Sequence, residues 1–198
     1  LPHCCRPCRR DEDRLAMSTA KKLFLVVLGG RCRGCHTEQH DVRWVVGDTI
    51  EDTYPQLIKQ WIGLRRGLHL DSYRAVERVD NHRVEVVPGA AALKQTTPDL
   101  QLWFVNLGAY DPTSMAERHH FGLVVARSTA AAKASAKRRW LKGLEQIHKD
   151  DLHGVMQEPE LDDLLPIDGN GQWHLQLTPL NEGVDPPDSP DWYGYGLI

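Results

Sequence analysis

Four short motifs in this sequence set a carboxylate and an imidazole two residues apart: Glu38-x-His40, His69-x-Asp71, Glu117-x-His119 and His148-x-Asp150. In extended chain, residues i and i+2 point to the same face. Each pair can therefore offer a nitrogen and an oxygen to one ion, or two hydrogen-bonding groups to one substrate. A divalent metal is the cofactor such a donor set would take. Glu38, His40, Glu117 and His119 are the primary candidates for a ligand or metal site, and His69, Asp71, His148 and Asp150 are secondary ones. A scaffold role is the simpler account. A Glu beside a His commonly forms a hydrogen-bonded pair that fixes a loop, and His-x-Asp after a helix can satisfy backbone groups left free at its C-terminus.

Cys32-Arg33-Gly34-Cys35-His36 has the spacing used for covalent haem attachment. The counterpart segment, Asp111 to Met115, has neither Cys nor His at those positions, and no export signal precedes the motif, so haem is not expected. Pairing with Cys5 and Cys8 would complete a four-sulfur zinc site. The plain alternative is two reduced loop thiols. Gly29, Gly30 and Gly34 follow a strand as phosphate-cradling loops do, but their spacing matches neither the dinucleotide fingerprint nor the P-loop, which leaves a tight turn between strands. Lys137, Arg138, Arg139 and Lys142 read as the solvated side of a helix. His82, His120, His153 and His174 are expected at the surface or half-buried.

The elements that must position these groups come from a chain of 198 residues, long enough for one good-sized core or two small ones without a staple. Apolar residues at 41%, charged residues at 26% and a formal charge of -3 describe an ordinary globular protein rather than a disordered or strongly basic one, so nucleic acid is not an expected partner. No apolar run approaches the roughly 18 to 20 residues that cross a bilayer, and a cytoplasmic protein with no membrane partner is the expectation. Residues 1–22 are rich in Arg and Cys and lack a hydrophobic period. Met17 is a candidate start, which would make Leu1 to Ala16 an over-extended reading frame or a cloning remnant.

The rest of the chain is an internal duplication. At the offset that carries Leu23 onto Leu102, identical residues meet at Leu23, Val26, Leu28, Gly29, Glu38, His40, Val45, Val46, Trp61, His69, Asp71 and Val76. Roughly three such matches are expected by chance. The ungapped match runs from Leu23 to Val76 and from Leu102 to Val155. In both copies a buried strand (Leu23 to Leu28, Leu102 to Leu107) precedes a second one (Val42 to Val46, Phe121 to Val125). A helix follows. Tyr54, Leu57, Ile58 and Trp61 mark its apolar stripe in the first copy, and Ala132, Ala136, Trp140, Gly143 and Leu144 mark it in the second.

Trp61 and Trp140 are matched core anchors, and Ser128 is the expected N-cap. In the first copy Asp48 with Glu51 resembles a capping box, whereas Pro55 argues for a start nearer Thr53. His69 to Val76, a turn at Asp80-Asn81 and a strand through Val84 and Val86 complete the unit. The second copy inserts an acidic stretch, Glu158 to Asp163, before its last strand around Trp173 to Leu177. The fold class is α+β: two tandem, pseudo-twofold-related ββαββ repeats packing mainly antiparallel sheets, with one helix each. The first repeat takes residues 23–88, a linker 89–99 and the second repeat 100–180. The remainder, 181–198, is an extended Pro-rich tail whose Trp192, Tyr193 and Tyr195 can dock on the body.

Leu23 to Gly30, Glu38-x-His40-Asp41, Val45-Val46-Gly47-Asp48 and His69-Leu70-Asp71-Ser72-Tyr73 resemble the bacterial domain-of-unknown-function family numbered 1543, whose members carry one or two copies of the domain. The resemblance spans about residues 20 to 180 and implies the repeat and a bacterial origin, but no activity. The second copy departs from the pattern, with His120 in place of Asp41 and Leu152 in place of Tyr73. Two classes of function remain. One is a non-catalytic module that binds a small ligand or a protein, as the lack of a nucleophile elbow, a His-Glu-x-x-His or a P-loop favours. The other is a metal-assisted hydrolase or isomerase in which pseudo-twofold symmetry brings Glu38, His40, Glu117 and His119 together between the halves.

Overall fold

The computed structural model describes residues 21–89, 100–109, 113, 115–140, 164–169, 172–181, 185 and 187–198. In chain order the first copy supplies β1 (Lys22–Gly30), β2 (Gln39–Gly47), a 3-10 turn (Glu51–Thr53), α1 (Tyr54–Gln60), β3 (His69–Ala75), β4 (Arg78–Val79) and β5 (His82–Pro88). The second supplies β6 (Gln101–Ala109), β7 (Arg118–Ala126), α2 (Thr129–Trp140), β8 (Leu164–Pro166) and β9 (Trp173–Pro179), and the tail supplies β10 (Trp192–Leu197). The fold is α+β, as expected, with antiparallel sheets and one helix in each copy.

The apolar run in β1 lacks polar alternation because both faces of the strand are covered. Leu23 and Leu25 enter one core, while Phe24, Val26 and Leu28 enter another, beneath Leu57 of α1 and Trp61 just beyond it. The pattern repeats in β6. Leu102 and Phe104 join the first core, and Trp103, Val105 and Leu107 meet Ala132 and Ala136 of α2. The layers are thus helix, sheet, sheet, helix, and the central core is common to both copies.

Three sheets enclose that core, with strand orders β10-β3-β1-β2, β7-β6-β8 and β4-β5-β9. The last joins the copies directly. β5 and β9 pair antiparallel with His82 opposite Pro179 and Pro88 opposite Trp173, so the first residue of each strand faces the last of the other. That is the pairing a pseudo-twofold axis requires. The β4-β5 hairpin turns on Asp80 and Asn81, both at positive φ (51° and 58°), the conformation of a two-residue type I′ turn. Asp80 then reaches the second copy. Its carboxylate accepts a hydrogen bond from Val125 N at 2.7 Å and pairs with Arg139 of α2.

Several local expectations need adjustment. α1 starts from Thr53, as Pro55 indicates, without a side-chain cap, and the box-like pair lies ahead of the 3-10 turn at Thr49 and Asp52, one residue later than Asp48 and Glu51. Thr49 N donates to the Asp52 carboxylate at 2.8 Å, and Asp52 N lies 3.4 Å from Thr49 Oγ1. Thr49 N and, at 2.9 Å, Thr49 Oγ1 both donate to the Asp52 carboxylate and hold it below the usual carboxylate range. Ser128 does cap α2, with Ala131 N donating to its hydroxyl at 3.3 Å. Gly29 and Gly30 end β1 rather than forming a turn; only Gly34 sits in one.

Leu164 to Pro166 stand opposite Val105 to Trp103, the place that Tyr73 to Ala75 take opposite Val26 to Phe24. Ile167 N likewise donates to Leu102 O, as Val76 N does to Leu23 O. The insertion therefore precedes this strand, where the ungapped match had pointed to Leu152 to Gly154. The linker, Cys4, Cys5 and Cys8, and the helical continuation through Lys142, Gly143 and Leu144 lie outside the described residues.

A shared core makes the copies one cooperative unit. Leu102→Ala and Leu177→Ala should each lower stability by about 2–5 kcal/mol, with urea unfolding in one transition and amide exchange accelerating in β1 and β6 alike. Acceleration confined to one copy would show that the copies unfold separately.

Candidate functional site

At the end of β1 the polar pairs of the first copy come together. The β1-β3 ladder pairs Val27 with Ser72 and Leu28 with Leu70, so it skips Asp71. A bulge of this kind re-aims a side chain. Here the re-aimed group is the carboxylate that two imidazoles share: Asp71 Oδ1 lies 3.2 Å from His69 Nε2, and Oδ2 lies 3.2 Å from His40 Nε2. Glu38 Oε1 stands 3.7 Å from His69 Nε2. Two segments distant in sequence, the start of β2 and the start of β3, are adjacent here because both pair with β1.

His69 is the fixed point of this group. Its side chain is 2% exposed, against 32% for Asp71, 37% for Glu38 and 54% for His40, so the cluster has a buried base and an open rim. Nδ1 lies 2.8 Å from Gly67 O, and a carbonyl only accepts, so Nδ1 carries a proton. Nε2 then faces two carboxylates. On one side the ring packs against Tyr195 of the tail, with centroids 4.0 Å apart. On another, a Cβ at Gly29 would lie 2.6 Å from Nε2, so only glycine leaves room for the imidazole.

The second copy is built differently. His119 Nε2 lies 3.7 Å from Glu117 Oε2, and Asn106 Nδ2 donates to His119 Nδ1 at 3.1 Å. The proton of this imidazole is therefore on the nitrogen opposite to the one Gly67 fixes in His69. Asn106 stands where the first copy has Val27, and Glu117 lies over Gly108 as His69 lies over Gly29.

The expected meeting of Glu38, His40, Glu117 and His119 between the halves is not what the structure shows. The described contacts of Glu38 and His40 run to His69 and Asp71, and those of His119 run to Glu117 and Asn106. The reason is local: each motif is fixed by strand pairing within its own sheet, which outweighs the symmetry between sheets. His148 and Asp150 lie outside the described residues, as does His153. Among the described residues no three His, Cys, Asp or Glu side chains stand ready to hold a metal ion. No helix among them is long and apolar enough to cross a membrane. Sequence reasoning missed Tyr195 as a cover for His69; the alternation Trp-Tyr-Gly-Tyr-Gly signals a strand, but nothing in it names the strand it joins.

Because the His69 ring is held on several sides, it cannot yield to an added methyl. Gly29→Ala should cost about 1–3 kcal/mol, the range for overpacking a filled site, and should disturb the imidazole signals of His69 and His40 in NMR spectra. An unchanged urea midpoint would show that the ring is free to move.

Comparisons with known proteins agree with this architecture. No curated protein matches the chain. The crystal structure of the protein Il1583 from Idiomarina loihiensis is similar, at 33% identity and a TM-score of 0.65, over 90% of this chain and 99% of that one. A family described as Domain of Unknown Function (DUF1543) matches at residues 35–86 and again at 114–165. Each matched segment holds one Glu-x-His pair and one helix, and with two such segments the chain belongs to the DUF1543 family and carries its domain twice.

Proposed function

We propose that the protein is a non-catalytic binding module that takes a small polar ligand at the rim formed by Glu38, His40 and Asp71 over the buried His69. The observation that carries this reading is the shared Asp71 carboxylate, held between two imidazole Nε2 atoms at 3.2 Å each. Geometry of this kind suits recognition. Gly67 O, Gly29 and Tyr195 hold the His69 ring in one orientation, and pre-organised polar groups bind without a further ordering cost. The half-exposed carboxylates favour a ligand that presents N–H or O–H donors. The second copy contributes to the central core.

A metal-assisted hydrolase or isomerase on the same groups is the second reading. It rests on donor type alone, two imidazole nitrogens and two carboxylates of the kind that suit first-row divalent ions, since the described side chains are not arranged to hold one.

One pair of measurements separates the two. Protein labelled with nitrogen-15 at histidine, titrated with amines, amino acids and sugars, should yield a ligand that moves the His40 and His69 resonances. Asp71→Asn should weaken that ligand roughly tenfold or more, as loss of a charged hydrogen-bond partner does. Near-stoichiometric metal in the purified protein, lost in His40→Ala, would move the assignment to the metal reading. Ligands that bind while leaving both resonances unmoved would sink the proposed site.

A further inference from the structure

The loop between β1 and β2 brings two thiols together. Cys35 N donates to Cys32 O at 3.2 Å, the bond that closes a four-residue turn. Gly34, its third residue, has φ of +84°, which is type II geometry. Such closure keeps the terminal Cα atoms within about 7 Å, and bridged cysteines usually stand about 4.4–6.8 Å apart. Both cysteines are free. Cys35 is exposed, while Cys32 is half-buried against the core beneath α1. The turn is anchored from outside: Leu64 N donates to Arg31 O at 2.7 Å, and Arg31 Nη1 donates to His36 O at 3.3 Å. Arg31, Arg33 and His36 neighbour the two cysteines in the chain, and no acidic residue lies between Lys22 and Glu38.

We propose that Cys32 and Cys35 are a reversible redox dithiol, oxidised by exchange with a small-molecule disulfide. The Cys35 thiolate attacks one sulfur of the small disulfide, forms a mixed disulfide and expels a thiolate. The Cys32 thiolate then attacks the Cys35 sulfur, closes the Cys32–Cys35 bond and expels the second thiolate. The two protons lost by the cysteines are taken up by the two released thiolates. The protein dithiol loses two electrons and the small disulfide gains them. This chemistry belongs to the first copy alone, since residues 111–115 of the second contain no cysteine. It stands independently of the ligand-binding reading. The turn leads directly into Glu38 and His40, so oxidation would stiffen the entry to the strand that carries them.

The test uses the full chain with Cys4, Cys5 and Cys8 changed to Ser, equilibrated in buffers of reduced and oxidised glutathione and then alkylated. Mass spectrometry should find a Cys32–Cys35 bridge within one chain as the main oxidised species, returning to the dithiol when reduced glutathione is raised. Gly34→Val is the diagnostic variant. A Cβ at Gly34 has nothing within 4 Å to strike, so the substitution burdens only the turn. The reduced loop can relieve that strain by opening and the bridged loop cannot, so the equilibrium constant for bridge formation should fall about tenfold. Stable glutathione adducts or disulfide-linked dimers as the main products would overturn the proposal, and so would an unchanged constant in Gly34→Val.

Discussion

Leu23 and Leu25 on β1 and Leu102 and Phe104 on β6 meet in one core, on the face of each sheet opposite its helix. The helix of each copy shields one side of its sheet and leaves the other side apolar. Burial of those two faces against each other, edged by β5 and β9, is the constraint on which the rest of the structure depends. Each fully buried Leu or Val side chain there contributes about 1.5–3 kcal/mol relative to exposure. Neither copy would retain that contribution alone. Trp44 against Phe104, with centroids 5.4 Å apart, extends the contact to the flanking strand of the first sheet.

With the middle of β1 and β6 committed to apolar cores, the carboxylate–imidazole groups gather at strand ends. The Gly29 end of the first sheet is where β1, β2 and β3 run out of large apolar residues, and there Glu38, His40, His69 and Asp71 gather. Two departures from regular structure make the group possible. The bulge at Asp71 re-aims a carboxylate, and the missing Cβ at Gly29 leaves space for an imidazole. The tail then closes one side. Arg78 with Asp185 at 2.7 Å, Arg74 with Asp188 at 2.6 Å and Ala75 N with the Asp191 carboxylate at 2.7 Å lead it along β3 until Tyr195 lies over His69. Trp192 faces inward against Tyr73, whereas Tyr193 remains exposed.

Among the described residues the two copies differ at this end of the sheet. Gly29 and Gly108 are alike, and each admits a polar side chain over the strand, but the occupant is His69 in one and Glu117 in the other. The fourth strand of the first sheet comes from the tail, and the second copy has no such addition among its described residues. These differences follow from the chemistry of the loops and ends, which the core does not constrain.

The sequence by itself determined the repeat, the two-sided burial of β1 and β6, the helix stripes and the Asp80-Asn81 turn. Each of these rests on local periodicity or on backbone preferences that neighbours in the chain reveal. It also marked Glu38, His40, His69 and Asp71 as polar residues that no core demands. Tertiary structure decided which of them meet. An i, i+2 pattern names a face of a strand but not the strand beside it, so the sequence left open whether Glu38 and His40 would join Glu117 and His119 across the pseudo-twofold axis or His69 and Asp71 within the sheet. Pairing of both β2 and β3 with β1 resolved the matter for the second arrangement. The place of the insertion, ahead of β8, and the strand on which Tyr195 docks were hidden for the same physical reason: both depend on register between segments far apart in the chain, which backbone hydrogen bonds and burial set only once the chain has folded.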